Sequence, residues 1–215
     1  GPSVYQFTVR VSDGTLSDEE VITVTVNEVN SAPSGVDNTI TINEDAAHTF
    51  AVANFGFSDS NDSPANNFVS VFISSLPHRG NITLNGIAVS ANQSISAADI
   101  ASGKLVFTPA ANANGTGYSS FTFQVRDDGD TSNGGINTSI PNTIIFDVMA
   151  VNAAPTAINL SQSKTVTEGG GAVALDDIVV TDVDANDTIT ATLILSSPSA
   201  GTLSTGTFGS ATAAF

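Results

Sequence analysis

Asn27-Glu28-Val29-Asn30-Ser31-Ala32-Pro33 and Ala150-Val151-Asn152-Ala153-Ala154-Pro155 decide how the chain is to be read. They share the core Val-Asn-x-Ala-Pro. A strand-like run leads into each: Val21-Ile-Thr-Val-Thr-Val26 before the first, Ile144-Ile-Phe-Asp-Val148 before the second. Proline lacks an N–H and fixes φ, so it ends a strand. A phrase that recurs after about a domain's length marks the junctions of a tandem array. The expected organisation is a closing hairpin over residues 1–30, a complete module over 31–153, and the opening part of another over 154–215. Such a chain reads as a slice of a longer protein.

Strand patterning fills in the modules. Tyr5-Gln-Phe-Thr-Val-Arg-Val11 alternates apolar and polar with period two, and residues 21–26 form its return strand, with Phe7, Val9, Ile22, Val24 and Val26 inward. The complete module offers seven strands, over residues 39–43, 48–53, 68–74, 81–84, 104–108, 119–126 and 142–148. Phe121, Phe123 and Val125 point inward. Asn85-Gly86 signals a tight hairpin. Ser96-Ala-Ala-Asp99 signals a capped helical turn. In the last segment, strands are expected over residues 165–167, 173–180 and 189–195. Many short strands separated by Gly, Asn and Asp turns give an all-β fold of tandem antiparallel β-sandwiches, one complete and two partial.

Composition narrows the function. There is no Cys, so neither a disulfide framework nor a thiolate zinc site exists. The 21 acids against 5 Lys and Arg give a net charge of −16, which disfavours nucleic acid and anionic membrane and favours cations. No apolar run reaches the roughly 20 residues of a membrane helix. His48 and His78 accompany no nucleophile motif and read as strand and turn residues. Glu168-Gly-Gly-Gly171 lacks the Lys of a phosphate loop and reads as a turn. With no Trp and only 2 Tyr, no aromatic-lined cleft can be built, so an enzyme is not expected.

The acids recur at fixed places. Phe7-Thr-Val-Arg-Val-Ser-Asp13 aligns without gaps on Phe121-Thr-Phe-Gln-Val-Arg-Asp127, Thr41-Ile-Asn-Glu44 on Thr165-Val-Thr-Glu168, and Ser58-Asp59 on Thr181-Asp182. In a seven-stranded antiparallel sandwich, the loops after strands two and six lie at the same end as the entering linker. Glu28, Asn30, Asp59, Asp62 and Asp127 should therefore converge at the first junction. The turn after strand one, with Glu44 and Asp45, should lie at the other end, near Asn152, Asp182, Asp184 and Asp187. Carboxylates, amides and carbonyls on flexible loops suit Ca²⁺, which takes six to eight oxygens in irregular geometry. The blander reading is solvated acidic turns.

At these residues the chain resembles the cadherin-like modules of large bacterial surface proteins and adhesins, and more distantly cadherins and the chondroitin-sulphate-proteoglycan type repeat. Val-Asn-x-Ala-Pro is similar to the cadherin linker. Glu44 and Glu168 resemble the Glu that ends the first strand, Asp182 and Asp184 the paired Asp before strand three, and Asp13 and Asp127 the Asp that ends strand six. Leu76-Pro-His-Arg-Gly80 with Leu84-Asn-Gly86, and Phe107-Thr-Pro-Ala-Ala-Asn-Ala-Asn-Gly115, are similar to the bacterial versions. The resemblance implies an extracellular or cell-surface module that binds Ca²⁺ at its junctions, stiffens the array and serves cell adhesion. Its partners would be calcium, neighbouring modules and another surface protein or glycan. Asp59-Ser-Asn-Asp62 replaces one paired Asp, and residues 109–117 carry no acid, which implies fewer and weaker calcium ions. The alternatives are a carbohydrate-binding or enzyme-accessory sandwich and a metal-independent spacer.

Overall fold

The structure, a computed structural model, describes residues 3–184, 188–194, 207–208 and 211–212. It divides into two compact units, residues 1–150 and 151–215.

The first unit opens with a hairpin of β1 (Ser3–Ser12) and β2 (Ser17–Val26), paired over their whole length. Asp13 makes the turn. Its Oδ1 accepts the N–H groups of Thr15 and Leu16, each at 2.8 Å, and these bonds lower its pKa to about 2. Alternation puts Tyr5, Phe7, Val9, Ile22 and Val24 on one face, as the sequence predicts. The expected burial of that face does not occur: Phe7 is 57% exposed and Ile22 49%. Period two decides which side chains share a face; a covering layer decides whether that face is buried.

The sandwich follows. Its elements are β3 (Asn38–Asn43), β4 (His48–Thr49), a 3₁₀ turn (Val52–Phe55), β5 (Phe68–Ile73), β6 (Asn81–Leu84), β7 (Ile87–Ala88), β8 (Gln93–Ser96), α1 (Ala97–Ala101), β9 (Leu105–Thr108), β10 (Gly115–Asp127), a second 3₁₀ turn (Ser132–Gly134) and β11 (Asn142–Met149). One sheet has the order β3-β11-β10-β5-β8, the other β4-β9-β6-β7. All pairings are antiparallel except β3 with β11. First and last strands of an odd series run the same way, so neighbours at those positions must pair in parallel.

The core lies between the sheets. Phe50, Phe55, Phe107, Phe121, Phe123 and Phe146 are all 1% exposed or less. Phe107 and Phe146 stack at 3.7 Å, and Phe50 meets Phe121 edge-on at 5.8 Å. Inward positions 121, 123 and 125 of β10 fall where alternation puts them.

Local signals also hold. Asn85 (φ 51°) and Gly86 (φ 79°) occupy the left-handed conformation that a two-residue hairpin needs, and Leu84 faces Ile87 across it. Ser96 Oγ accepts the Asp99 N–H at 3.0 Å and caps α1.

Some expectations need correction. The strand expected over residues 48–53 stops at Thr49. Asn54 Oδ1 takes the Ala51 N–H at 2.7 Å, a local bond that competes with the ladder and winds the chain into the 3₁₀ turn. Strand β8 is not legible in the sequence, and β7 is legible only as the return of the Asn85-Gly86 hairpin. Being two, they preserve the alternation of direction that brings the loops after β4 and β10 to one end.

In the second unit, β12 (Thr156–Ile158) pairs with β13 (Val179–Thr181), and β14 (Thr207–Phe208) with β15 (Ala211–Thr212). No strand forms at residues 165–167, 173–178 or 189–194, and Leu195 lies outside the described residues. Alternation alone does not make a strand; the ladder needs a neighbour.

Candidate metal centre at the first junction

The entering linker is held by the loops around it. Asn30 is the hub. Its backbone carbonyl accepts the Ile136 N–H at 2.9 Å. Its Nδ2 donates to the Ile136 carbonyl at 2.6 Å and to Asp127 Oδ1 at 3.4 Å, and its Oδ1 accepts from Asn66 Nδ2. The Ser31 N–H points at both oxygens of Asp62, each 3.1 Å away. Glu28 Oε1 accepts the Ser63 N–H at 3.0 Å. Topology therefore brings Glu28, Asn30, Asp59, Asp62 and Asp127 to one end of the sandwich.

Three of these carboxylates are buried: Asp59 is 7% exposed, Asp62 9% and Asp127 4%. Asp59 Oδ2 accepts the Asn66 N–H at 2.6 Å, and Asp127 Oδ1 accepts the Gly129 N–H at 2.9 Å. Their other oxygens, Asp59 Oδ1 and Asp127 Oδ2, are buried with no donor. Burial raises the pKa of Asp127 from its ordinary value, and the charges of Asp59 and Asp62 add to the shift against the bonds from Gly129 and Asn30. Two buried anionic oxygens without partners are expensive unless a cation answers them.

Among the described residues, no three acid or histidine side chains meet at the spacing of a ready-made metal cage. The carboxylates are each pulled toward a backbone N–H. A hard cation here would complete its shell with amide and carbonyl oxygens from the same loops, which Ca²⁺ accepts.

Gly129 makes the arrangement possible. A Cβ on it would overlap the side chains of Asn30 and Asn66. Gly129→Ala should cost about 1–3 kcal/mol, the usual range for overpacking. Thermal unfolding of the variant would measure it, and an unchanged midpoint would refute the close approach. Sequence reading missed Gly129, Asn66 and Asn67. Asn67 donates its N–H to Asp128 Oδ1 at 2.7 Å and its Nδ2 to Asp128 Oδ2 at 2.9 Å. Nothing but Asn-rich composition flags these residues.

The remaining sequence-predicted ligands divide. Glu44 is 6% exposed, and its Oε2 accepts from Asn114 Nδ2 at 2.9 Å. Asp45 Oδ1 accepts the Asn112 N–H at 2.9 Å. Both thus bond to the loop before β10, in their own unit. In the second unit the Ala153 N–H reaches Asp184 Oδ2 at 2.5 Å, and the Asp184 N–H reaches Asp182 Oδ1 at 3.1 Å. This repeats the first junction, where Ser31, also one residue past the linker Asn, donates to Asp62. Asn152 differs from Asn30: its Nδ2 donates to the Ala153 carbonyl at 3.1 Å. Asp187 lies outside the described residues.

The model of one family, described as the bacterial Ig domain, matches residues 30–139. The chain belongs to the bacterial Ig domain family. The match begins at Asn30, the hub of the junction, and takes in Asp59, Asp62 and Asp127. It ends before β11, the strand that lies between β3 and β10. Such domains are typically non-enzymatic and usually occur as structural modules of surface proteins. The match supports an Ig-like sandwich repeat and does not distinguish a cadherin-like one. No curated protein and no solved structure matches the chain. No helix among the described residues is long and apolar enough to cross a membrane.

Proposed function

We propose that this bacterial Ig-like chain is a calcium-binding structural and adhesion module of a secreted or cell-surface repeat protein. One observation carries the reading: Asp59 Oδ1 and Asp127 Oδ2 are buried without donors beside the acid that anchors the linker. The first-junction set is Glu28, Asn30, Asp59, Asp62 and Asp127. A Ca²⁺ ion there neutralises the crowded carboxylates and ties the loops after β4 and β10 to the linker, so the junction stops acting as a free hinge. Asn152, Asp182, Asp184 and Asp187 are the corresponding set of the second junction. The likeness of the Ser31–Asp62 and Ala153–Asp184 bonds supports that correspondence.

Calcium titration with thermal unfolding tests the reading. Extracellular modules bind calcium with a Kd on the order of 10⁻⁴–10⁻³ M. At 10 mM calcium the folded state should gain about 1.4–2.7 kcal/mol by mass action. A melting temperature that ignores calcium would remove the metal. The direct bonds of Asn30 favour one other reading, a metal-independent spacer, and that is the outcome such a result would support.

A further inference from the structure

The loop after β10 is fastened at both ends. Residues 128–136 leave the sandwich next to a bridge between Arg126 and Thr138. At one end Asp128 is clamped to Asn67. The Asp128 N–H donates to the Asn67 carbonyl at 3.1 Å, and its carboxylate accepts the Asn67 N–H at 2.7 Å and Nδ2 at 2.9 Å. At the other end the Ile136 N–H donates to the Asn30 carbonyl at 2.9 Å, and the Ile136 carbonyl accepts from Asn30 Nδ2 at 2.6 Å. These two bonds copy an antiparallel strand pair, with a side-chain amide in place of one backbone N–H. Between its ends the loop is folded on itself. Asp130 Oδ1 accepts the Ser132 N–H at 2.9 Å, and the Gly135 N–H donates to the Ser132 carbonyl at 3.0 Å.

Two glycines bring the loop down onto Asn30. A Cβ on Gly129 would overlap the Asn30 and Asn66 side chains. A Cβ on Gly135 would overlap the Asp130 carbonyl and crowd the Asn30 Cβ at 3.3 Å. Neither glycine lies in the left-handed region, so space and not backbone conformation requires them. Both are partly buried, while residues 130–134 between them are exposed. The loop therefore bridges Asn30 with its two ends packed and its middle in solvent.

We propose that residues 128–136 are a strap that grips the Asn30 side chain and fixes the linker to the sandwich without metal, and that the grip accepts only an amide at position 30. The surroundings of that side chain set the requirement. The Ile136 carbonyl needs a donor, as does Asp127 Oδ1 at a longer 3.4 Å, while Asn66 Nδ2 needs an acceptor. Asparagine offers both. Aspartate offers no donor and places a like charge beside Asp127. Glutamine has the right groups but is one methylene longer, and the two glycines mark a space already filled. The strap does not rest on the calcium reading. A cation at Asp59 and Asp127 deepens a closure that the strap has begun.

Amide hydrogen exchange of the full chain in chelator tests the strap. The Ile136 and Ser31 amides should be protected in the parent, since each is donated between the linker and a loop. Asn30→Asp should speed exchange at both by about tenfold, the scale of one hydrogen bond. Asn30→Ala should do the same at Ile136, although the backbone carbonyl that accepts this N–H is kept. Resonances of β10 and β11 should hold their positions in both variants, which shows that the sandwich is folded. Fast exchange at Ile136 and Ser31 in the parent would overturn the proposal. So would parental protection in either variant, or shifts that spread through β10 and β11. Protection that appears only when calcium is added would overturn the strap and leave the calcium reading intact. Protection in chelator, with a melting temperature that ignores calcium, would support the strap and remove the metal.

Discussion

Phe146→Ala should destabilise the sandwich by about 3–5 kcal/mol, the range for truncating a buried ring. Phe146 is 0% exposed and lies on β11, between the strands it pairs with on either side. It stacks on Phe107 at 3.7 Å and has Phe50 at 6.1 Å and Phe121 at 6.2 Å. Removing the ring leaves a cavity that two rigid sheets cannot close. A loss of this size takes a large share of a typical domain's 5–15 kcal/mol. Phe7→Ala, on the hairpin, is the contrast. Phe7 also sits at an alternating apolar position, but it is 57% exposed and should cost within about 0.5 kcal/mol. Denaturant unfolding of both variants decides. Equal losses would mean that the hairpin face is covered in solution.

Asp127→Asn should abolish calcium stabilisation and, without metal, should stabilise the protein on the order of 1 kcal/mol. The reason is the raised pKa of Asp127, caused first by burial and then by the neighbouring charges of Asp59 and Asp62. Above its folded pKa the native state carries a buried, half-satisfied anion. Asparagine keeps the shape and removes the charge, and with it the Oδ2 available to a cation. The pH dependence has a definite sign. Between the unfolded pKa of about 3.9 and the raised folded value, the native state holds the extra proton, so this group's stabilisation is full at lower pH and is lost as pH rises through the folded pKa. Metal-free protein should therefore gain stability from this group as pH falls through the raised folded pKa. The Asn variant should gain less, and calcium should flatten the dependence. Asp13, Asp99, Asp128 and Asp130 have lowered pKa values, so their contributions are lost only as pH falls through the acid range below that window. If the variant still responds to calcium as the parent does, Asp127 is not a ligand.

The all-β class, the inward face of β10, the Asn85-Gly86 hairpin and the Ser96 cap were all legible in the sequence. Each depends on interactions within a few residues, on period two or on turn chemistry. The convergence of the linker with the loops after β4 and β10 was legible too, because strand direction alternates whatever the spacing. Tertiary structure decided what local pattern cannot contain. The same alternation gave a buried Phe146 and an exposed Phe7, because burial belongs to the facing sheet. The alternation at residues 189–194 gave no strand, because a ladder needs a partner. Strands β7 and β8 are too short to show a period. Asn66 and Gly129 are brought to Asn30 by chain segments far apart in sequence, so no spacing rule announces them. The orphaned oxygens of Asp59 and Asp127 have the same origin: the sequence determined how many acids each loop carries, and only packing decided which oxygens would be buried without a donor.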